Sequence, residues 1–460
     1  MGSRKSRSTT VGNIDADALE FTAGRDVLLD RVLVEADCLG TAAHVVMLSR
    51  MPIKPPLLSA RDVRKVLRAL RGIVADHRAG RFRIRLGDQD VHLAVERHLS
   101  KELGELGRKI HTGRSRNDQV ALDLRLHAKE RLLALMEAAC ALSLELTKCA
   151  RKNERIPMVG RTHMQKAMPS SAALWASAYA EGLLDDLPML FTAYELNDQN
   201  PLGSAAGYGV PLPIDRELVT RLLGMSRTVH NVLHAGNMRG KLESIILQAL
   251  GQFMVTLSRL SQDLMIFSMP EFGYVVLPPE YCTGSSIMPQ KNNPDVLELI
   301  RGRAAVVQGY GSTVLEIIRG APSGYNRDLQ EIKEPFLRGL ETTESCLRVM
   351  TAIVQGMSFD RKAMSAAFTP DVFATDHALE LVGKGVPFRD AYRAVKKEID
   401  SLSMLDPVEA IAKKTHAGAT AGLSFDTLTR RAREAGTFAR EERRTWYRAL
   451  TRLLGGPYPP

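Results

Sequence analysis

Between residues 119 and 156 the chain carries no glycine or proline, and Leu132, Leu135, Ala139, Leu142 and Leu146 follow one another at steps of three and four. That is one apolar stripe along a single helix of unusual length. From near Asn237 the same stepping returns in Leu242, Ile246, Ala249, Phe253, Leu257, Leu260 and Leu264, over about seven turns at 3.6 residues each. Residues 170–187 are apolar nearly all round, as suits a helix enclosed by neighbours. Alternating patterns of the strand type are scarce. The pattern predicts a mainly α protein whose middle is a bundle of long helices.

Three stretches rich in Gly, Pro, Ser and Asn interrupt the bundle, at 200–213, 278–294 and 319–326. Long loops inside a compact helical body are uncommon and often functional. The character of the chain changes near Ser358, where a run of shorter helices is predicted to continue to the end. The expected organisation is a flexible basic tail over 1–20, an N-terminal helical domain over 21–112, the central bundle over 113–357 and a small C-terminal helical domain over 358–460.

Composition narrows the class. Of 460 residues, 45% are hydrophobic and 25% charged, which describes a core-forming chain and excludes disorder. The net charge of +10 suits an anionic small substrate. The basic residues are mostly interspersed with acids and aromatics are only 5%, so nucleic acid is not expected as a partner. The longest apolar stretches are broken by Glu181, or by Arg259 and Asp263, and no membrane partner is expected. Five scattered cysteines without a CxxC pair fit a reducing, cytoplasmic setting, and no secretory signal is visible.

The chemistry is written in the loops. In TGSSIMPQKNNPDVLELIRG, residues 283–302, small and polar residues precede a helix for which Asn293 is a plausible N-cap. Backbone amides, Lys291 and a helix N-terminus make a carboxylate receptor. HTGRSRNDQ, residues 111–119, offers Ser115 or Asn117 as a cap for the first long helix, with Arg114 and Arg116 as planar forks for carboxylates. GRTHMQKAMP, residues 160–169, sets His163 among the polar Thr162 and Gln165, and SGYNRDLQEIKE, residues 323–334, adds Tyr325, Gln330 and Lys333. Each stretch alone also reads as a cap, a linker or a structural histidine; their joint occurrence does not.

With these motifs the sequence resembles the fumarase/aspartase superfamily, through GSSIMPQKNNP. It resembles the argininosuccinate lyase branch through GRSRNDQ, RTHMQKAMP, PSGYNRDLQEIKE and ATDHALELVGKGVPFRDAY, in register from about Phe21 to Tyr392. The resemblance implies a three-domain helical protomer, a homotetramer with active sites shared between subunits, and neither cofactor nor metal. It implies elimination of fumarate from argininosuccinate. Ser285 would take the proton beside a carboxylate, and Lys291 and Asn293 would stabilise the resulting charge. His163, with Glu298 as its carboxylate partner, would serve the departing nitrogen. Asn117, Thr162, Tyr325, Gln330 and Lys333 match substrate-binding positions, and Arg116 is added to them as a carboxylate fork.

The chemical demand is severe, because a carbon acid beside a carboxylate is very weak and the developing dianion needs preorganised donors. A serine hydroxyl is also a poor base unless amides and cations hold its oxyanion. Where the family has a serine that touches substrate, this chain has Gly24, and Arg161, Met168 and Asn292 also depart from the usual pattern. These changes leave two other readings open at this point, a related lyase for another N-substituted aspartate and a noncatalytic crystallin-like protein.

Overall fold

Helix after helix follows from the apolar stripes, and the short strands occur where the chain turns. The computed structural model describes residues 6–9 and 12–459. At the start, in the segment expected as a flexible tail, β1 (Ser6–Thr9) pairs antiparallel with β2 (Gly12–Asp15) and leads into α1 (Ala16–Ala23). There Asp15 caps the helix by accepting from Asp17 and Ala18 amides. Three longer helices follow, α2 (Val34–Arg50), α3 (Ala60–Arg78) and α4 (Val91–Leu103). The stretch Asp26–Arg50 is long and apolar enough to pass for a membrane span, contrary to expectation, but 78% of its apolar window is buried within the protein. It is a core helix.

The first long helix is α5 (Arg116–Lys152). Its N-cap is Ser115, whose amide donates to Asp118 in a capping box. A hairpin, β3 (Pro157–Thr162) with β4 (Gln165–Ser171), reverses the chain into α6 (Ala172–Asn197). Then come α7 (Lys241–Ser268), the short ladder of β5 (Thr283–Gly284) with β6 (Asn292–Asn293), α8 (Asp295–Arg319) and α9 (Lys333–Gly356). The N-cap of α8 is Pro294, without a side-chain bond. Asn293 is in the ladder instead of capping the helix, because its backbone pairs with Thr283.

These five helices run alternately up and down. Asn197, at the end of α6, donates to the carbonyl of Arg125 near the start of α5. Gly240, before α7, packs on Ile318 at the end of α8 and Ile332 at the start of α9, while Gly356 closes α9 against Pro278. The bundle therefore has two ends, a cleft end where α5, α7 and α9 begin and a loop end where α6 and α8 begin. Its core is continuous with that of α2 to α4, and each fully buried Leu or Phe there contributes about 1.5–3 kcal/mol.

Beyond Ser358 the short helices α10 (Ala374–Gly383) and α11 (Phe388–Lys397) gather around two small cores. The chain then differs from the expected run of short helices, because α12 (Phe425–Leu454) spans 30 residues and returns to the main body. Its buried stripe of Leu428, Ala432, Ala439, Trp446 and Leu450 joins the large core. Buried Lys129 on α5 fixes that return. Its Nζ lies 2.8 Å from Asp198 and over the rings of Tyr194 and Trp446, which provides the partners a buried charge requires.

Candidate active site

At the cleft end, the start of α5, the loop before α9 and the N-terminal segment enclose a polar cleft of ≈ 120 Å³. Five of the expected substrate-binding residues, Arg116, Asn117, Tyr325, Gln330 and Lys333, line it together. Lys333 is 2% exposed and its Nζ meets Asp30 at 2.6 Å and Asp26 at 3.0 Å. Burial works to lower its pKa, but the two carboxylates outweigh it and the net shift is upward, keeping the ammonium charged. Arg116 Nε donates to Asp90 Oδ2 at 2.6 Å, and Gln330 donates to the carbonyl of Thr22 at 2.7 Å. Arg114 turns inward to Thr41 and is not on the cleft.

Asp118, next to Asn117, ties down the neighbouring loop. Besides the Ser115 amide it accepts the amides of Gly203 and Ala205 at 3.0 and 2.8 Å, which folds the 200–209 loop over the start of α5. Burial raises its pKa to about 6 against the pull of those amides. Arg239, whose guanidinium lies 5.5 Å over the Tyr325 ring, also lines the cleft, with Asp26, Asp90 and His92. Sequence reasoning missed these four. The dense acid and imidazole grouping GDQDVH at 87–92 was a local signal for Asp90 and His92, and Asp26 and Arg239 had none.

At the loop end the β5–β6 ladder holds a seven-residue tip, 285–291. Ser285 Oγ accepts the amides of Ile287 at 3.3 Å and Met288 at 3.1 Å. Two amides converging on one oxygen stabilise negative charge there, as an activated serine requires. Lys291 and Asn293 flank the same tip, and Asn293 makes a long 3.5 Å contact with the carbonyl of Gly284. Thr283 Oγ1 donates to Asp295 and ties the base of the loop to the first turn of α8. Glu298, one turn on, is exposed.

The hairpin carries Thr162 and His163 into solvent. His163 and Met164 both have positive φ, 51° and 63°, so the connection is a two-residue turn of the mirror-image type. Arg161 packs 4.8 Å over the ring of Phe272, and Lys166 donates to the carbonyl of Ala367 at 2.7 Å. These contacts tie the hairpin to the loop end and to the C-terminal helices. Among the described residues no hydrogen bond or ion pair joins His163 to Glu298, so the expected pair does not form within one chain.

The separation of the groups follows from helix length. Ser285 and Tyr325 flank opposite ends of α8, whose 25 residues span about 37 Å at 1.5 Å per residue. Asn117 and His163 flank opposite ends of α5, whose 37 residues span about 55 Å. One chain thus holds a polar cleft with Arg116, Arg239 and Lys333 on its wall at one end and a serine whose Oγ accepts two backbone amides at the other.

Among the described residues one group could serve a metal ion. Donor atoms of buried Asp37, His92 and Asp123 lie within 4.8 Å of one another. The His92 ring nitrogen Nδ1 is hydrogen-bonded to Asp37 at 2.8 Å and lies 3.5 Å from Asp123, so it is engaged with a carboxylate rather than left open to an ion.

A family model described as Lyase matches residues 29–309. The argininosuccinate lyase of Sorangium cellulosum is 42% identical over 91% of this chain and 96% of its own length. That of Thermotoga neapolitana is 40% identical over 84% and 96%. Among solved structures, an EDDS lyase variant with bound fumarate superposes with a TM-score of 0.79 at 20% identity, over 96% of this chain and 95% of that one. The class II fumarase of Schistosoma mansoni gives 0.69 at 17% identity, over 88% and 98%. These two likenesses show the helical fold.

Proposed function

The chain belongs to the argininosuccinate lyase branch of the fumarase/aspartase superfamily, and from that premise we propose that it splits argininosuccinate into arginine and fumarate. The observation that carries this reading is Ser285 Oγ accepting two backbone amides beside Lys291 and Asn293. Ser285 takes the proton from the carbon next to a carboxylate. The electron pair moves into that carboxylate, where Lys291 and Asn293 stabilise the extra charge. As it returns to form the carbon-carbon double bond, the carbon-nitrogen bond breaks. His163 delivers a proton to the departing guanidine, since an imidazole donates and accepts near neutral pH.

The substrate is held by the cleft residues Arg116, Asn117, Tyr325, Gln330 and Lys333, with Thr162 added from the hairpin. Because the cleft and Ser285 flank opposite ends of the bundle, the working site joins ends from different copies, in a homotetramer. The outer face of α8 supports such packing. Leu299, Val306 and Leu315 are exposed on it, and a side chain at Gly302 or Gly309 would meet nothing in this protomer. The five free cysteines support a reducing, cytoplasmic setting. Fumarate release from argininosuccinate, followed by ultraviolet absorbance with Ser285→Ala as control, tests the activity. A wild-type protein with no release would overturn it. A solution mass of four protomers tests the assembly, and a monomer would contradict it.

A further inference from the structure

His163 and Met164 form the two-residue turn that joins β3 to β4, with φ of 51° and 63°. Both carry a Cβ, and that left-handed region is unfavourable for residues other than glycine. The pair that adopts such a turn unaided is Asn-Gly, and neither is present at 163–164. A conformation of this kind persists only where its surroundings over-determine it. One neighbour does so from within the hairpin, and it is Arg161, a position that departs from the usual family pattern.

Three features fix Arg161. The ladder slips by one residue between Gly160 and Arg161, a bulge that re-aims the side chains beyond it. The guanidinium lies 4.8 Å over the ring of Phe272, just past the end of α7, and that ring packs edge-on against buried Tyr274 at 5.4 Å. A guanidinium stacked on an aromatic face is held there by attraction to the ring. From this seat Nη1 donates to the carbonyl of Met164 at 3.1 Å, inside the turn. Nε is buried and has no partner among the described residues, so that side of the group is enclosed and not solvated. Thr162 is held separately, because its backbone pairs with Gln165 in the ladder.

We propose that Arg161 is a positioning residue for the reaction: braced on Phe272, it holds the Met164 carbonyl and so keeps His163 in the left-handed turn from which its ring serves the departing nitrogen. The proposal rests on the reading of His163 as the group that delivers that proton. Arg161 acts only through His163. Arg161→Met keeps the length of the side chain and its packing on Phe272, and loses the bond to the turn. Met164→Gly makes positive φ available without support, so it stands in for the brace.

Steady-state kinetics of the full-length protein with argininosuccinate test this. Arg161→Met is expected to lower kcat by about 10-fold, less than complete loss of the histidine would, with KM changed much less because Thr162 stays in its ladder. Added to His163→Asn it should cost nothing further, since residues that act as one unit are not additive. The double variant Arg161→Met with Met164→Gly should recover most of the rate. A wild-type kcat in folded Arg161→Met would overturn the proposal. So would full additivity with His163→Asn, or a loss that Met164→Gly leaves untouched, because either result belongs to a clamp that only secures the hairpin. Should Arg161→Met not fold, Arg161→Lys keeps a cation on the ring without the planar fork that stacks and donates together. Its kcat should fall in the same way, and an unchanged rate overturns the proposal. Loss at His163→Asn with none at Arg161→Met overturns the positioning alone. An undiminished His163→Asn rate, or no fumarate release by the wild type, removes the parent reading and the proposal with it, at a step that involves no change at Arg161.

Discussion

The two ends of the bundle are built on opposite terms. At the cleft end the functional side chains belong to the fold. Lys333 is buried between Asp26 and Asp30, Arg116 is held by Asp90, and Asp118 gathers three backbone amides. At the loop end the groups proposed to move protons stand free of the core: Ser285 on a seven-residue tip, His163 on a hairpin turn and Glu298 on an exposed first turn. Recognition of a charged substrate needs donors fixed before it arrives, and the folding free energy that orders them is spent in advance. The proton-transfer groups must close over the substrate and shed water, so they sit where few contacts hold them.

If that contrast is right, substitutions at the loop end change rate and not stability, and substitutions at the cleft end change both. The largest effect belongs to Ser285→Ala, with kcat reduced by about 10³- to 10⁴-fold and an unfolding free energy within about 0.5 kcal/mol of wild type. A marked drop in melting temperature would break the contrast. Lys333→Met leaves Asp26 and Asp30 buried without their cation and should destabilise the protein by about 3–5 kcal/mol. Chemical denaturation measures this, and wild-type stability would mean that the cleft is not part of the core.

Asp118 sharpens the comparison through pH. Its pKa of about 6 exceeds the unfolded value, so between about pH 4 and pH 6 the folded chain holds more protons than the unfolded one. Its contribution therefore falls as pH rises through that window, by about 3 kcal/mol, and stays low above it. Asp118→Asn removes the titration. Melting temperatures of both proteins at pH 4.5 and 7.5 should show the wild type losing ground to the variant as pH rises, and parallel profiles would contradict the assignment. Smallest is His163→Asn, with kcat lowered by about 10²-fold and the melting temperature unmoved. An undiminished kcat would remove His163 from the reaction.

The long helices were legible because a stripe of apolar residues at steps of three and four, sustained over so many turns, fits the helical period and no strand. The residues expected to bind substrate stand in readable motifs, but the cleft that five of them share was not legible. Asp30 and Lys333 are 303 residues apart, and no local pattern announces that they meet. The hairpin under His163 was hidden for a different reason, since its turn places positive φ on His163 and Met164 without the Asn-Gly signal such turns usually carry. Asn293 reads as a helix cap because asparagine before an apolar run favours that role, yet backbone pairing with Thr283 prevails. At Gly24 a side chain in this backbone would meet the carbonyl of Glu20 at 2.5 Å.

Subunit mixing tests the central claim, that one working site joins the cleft end of one copy to the loop end of another. Ser285→Ala and Asn117→Ala proteins are each inactivated at one end only. Dissociated together in equal amounts and reassembled, they should regain about a quarter of wild-type activity, because a random symmetric assembly pairs an intact cleft with an intact loop at that frequency. No recovery from a mixture that has demonstrably exchanged subunits would contradict the shared site and return the reaction to a single chain.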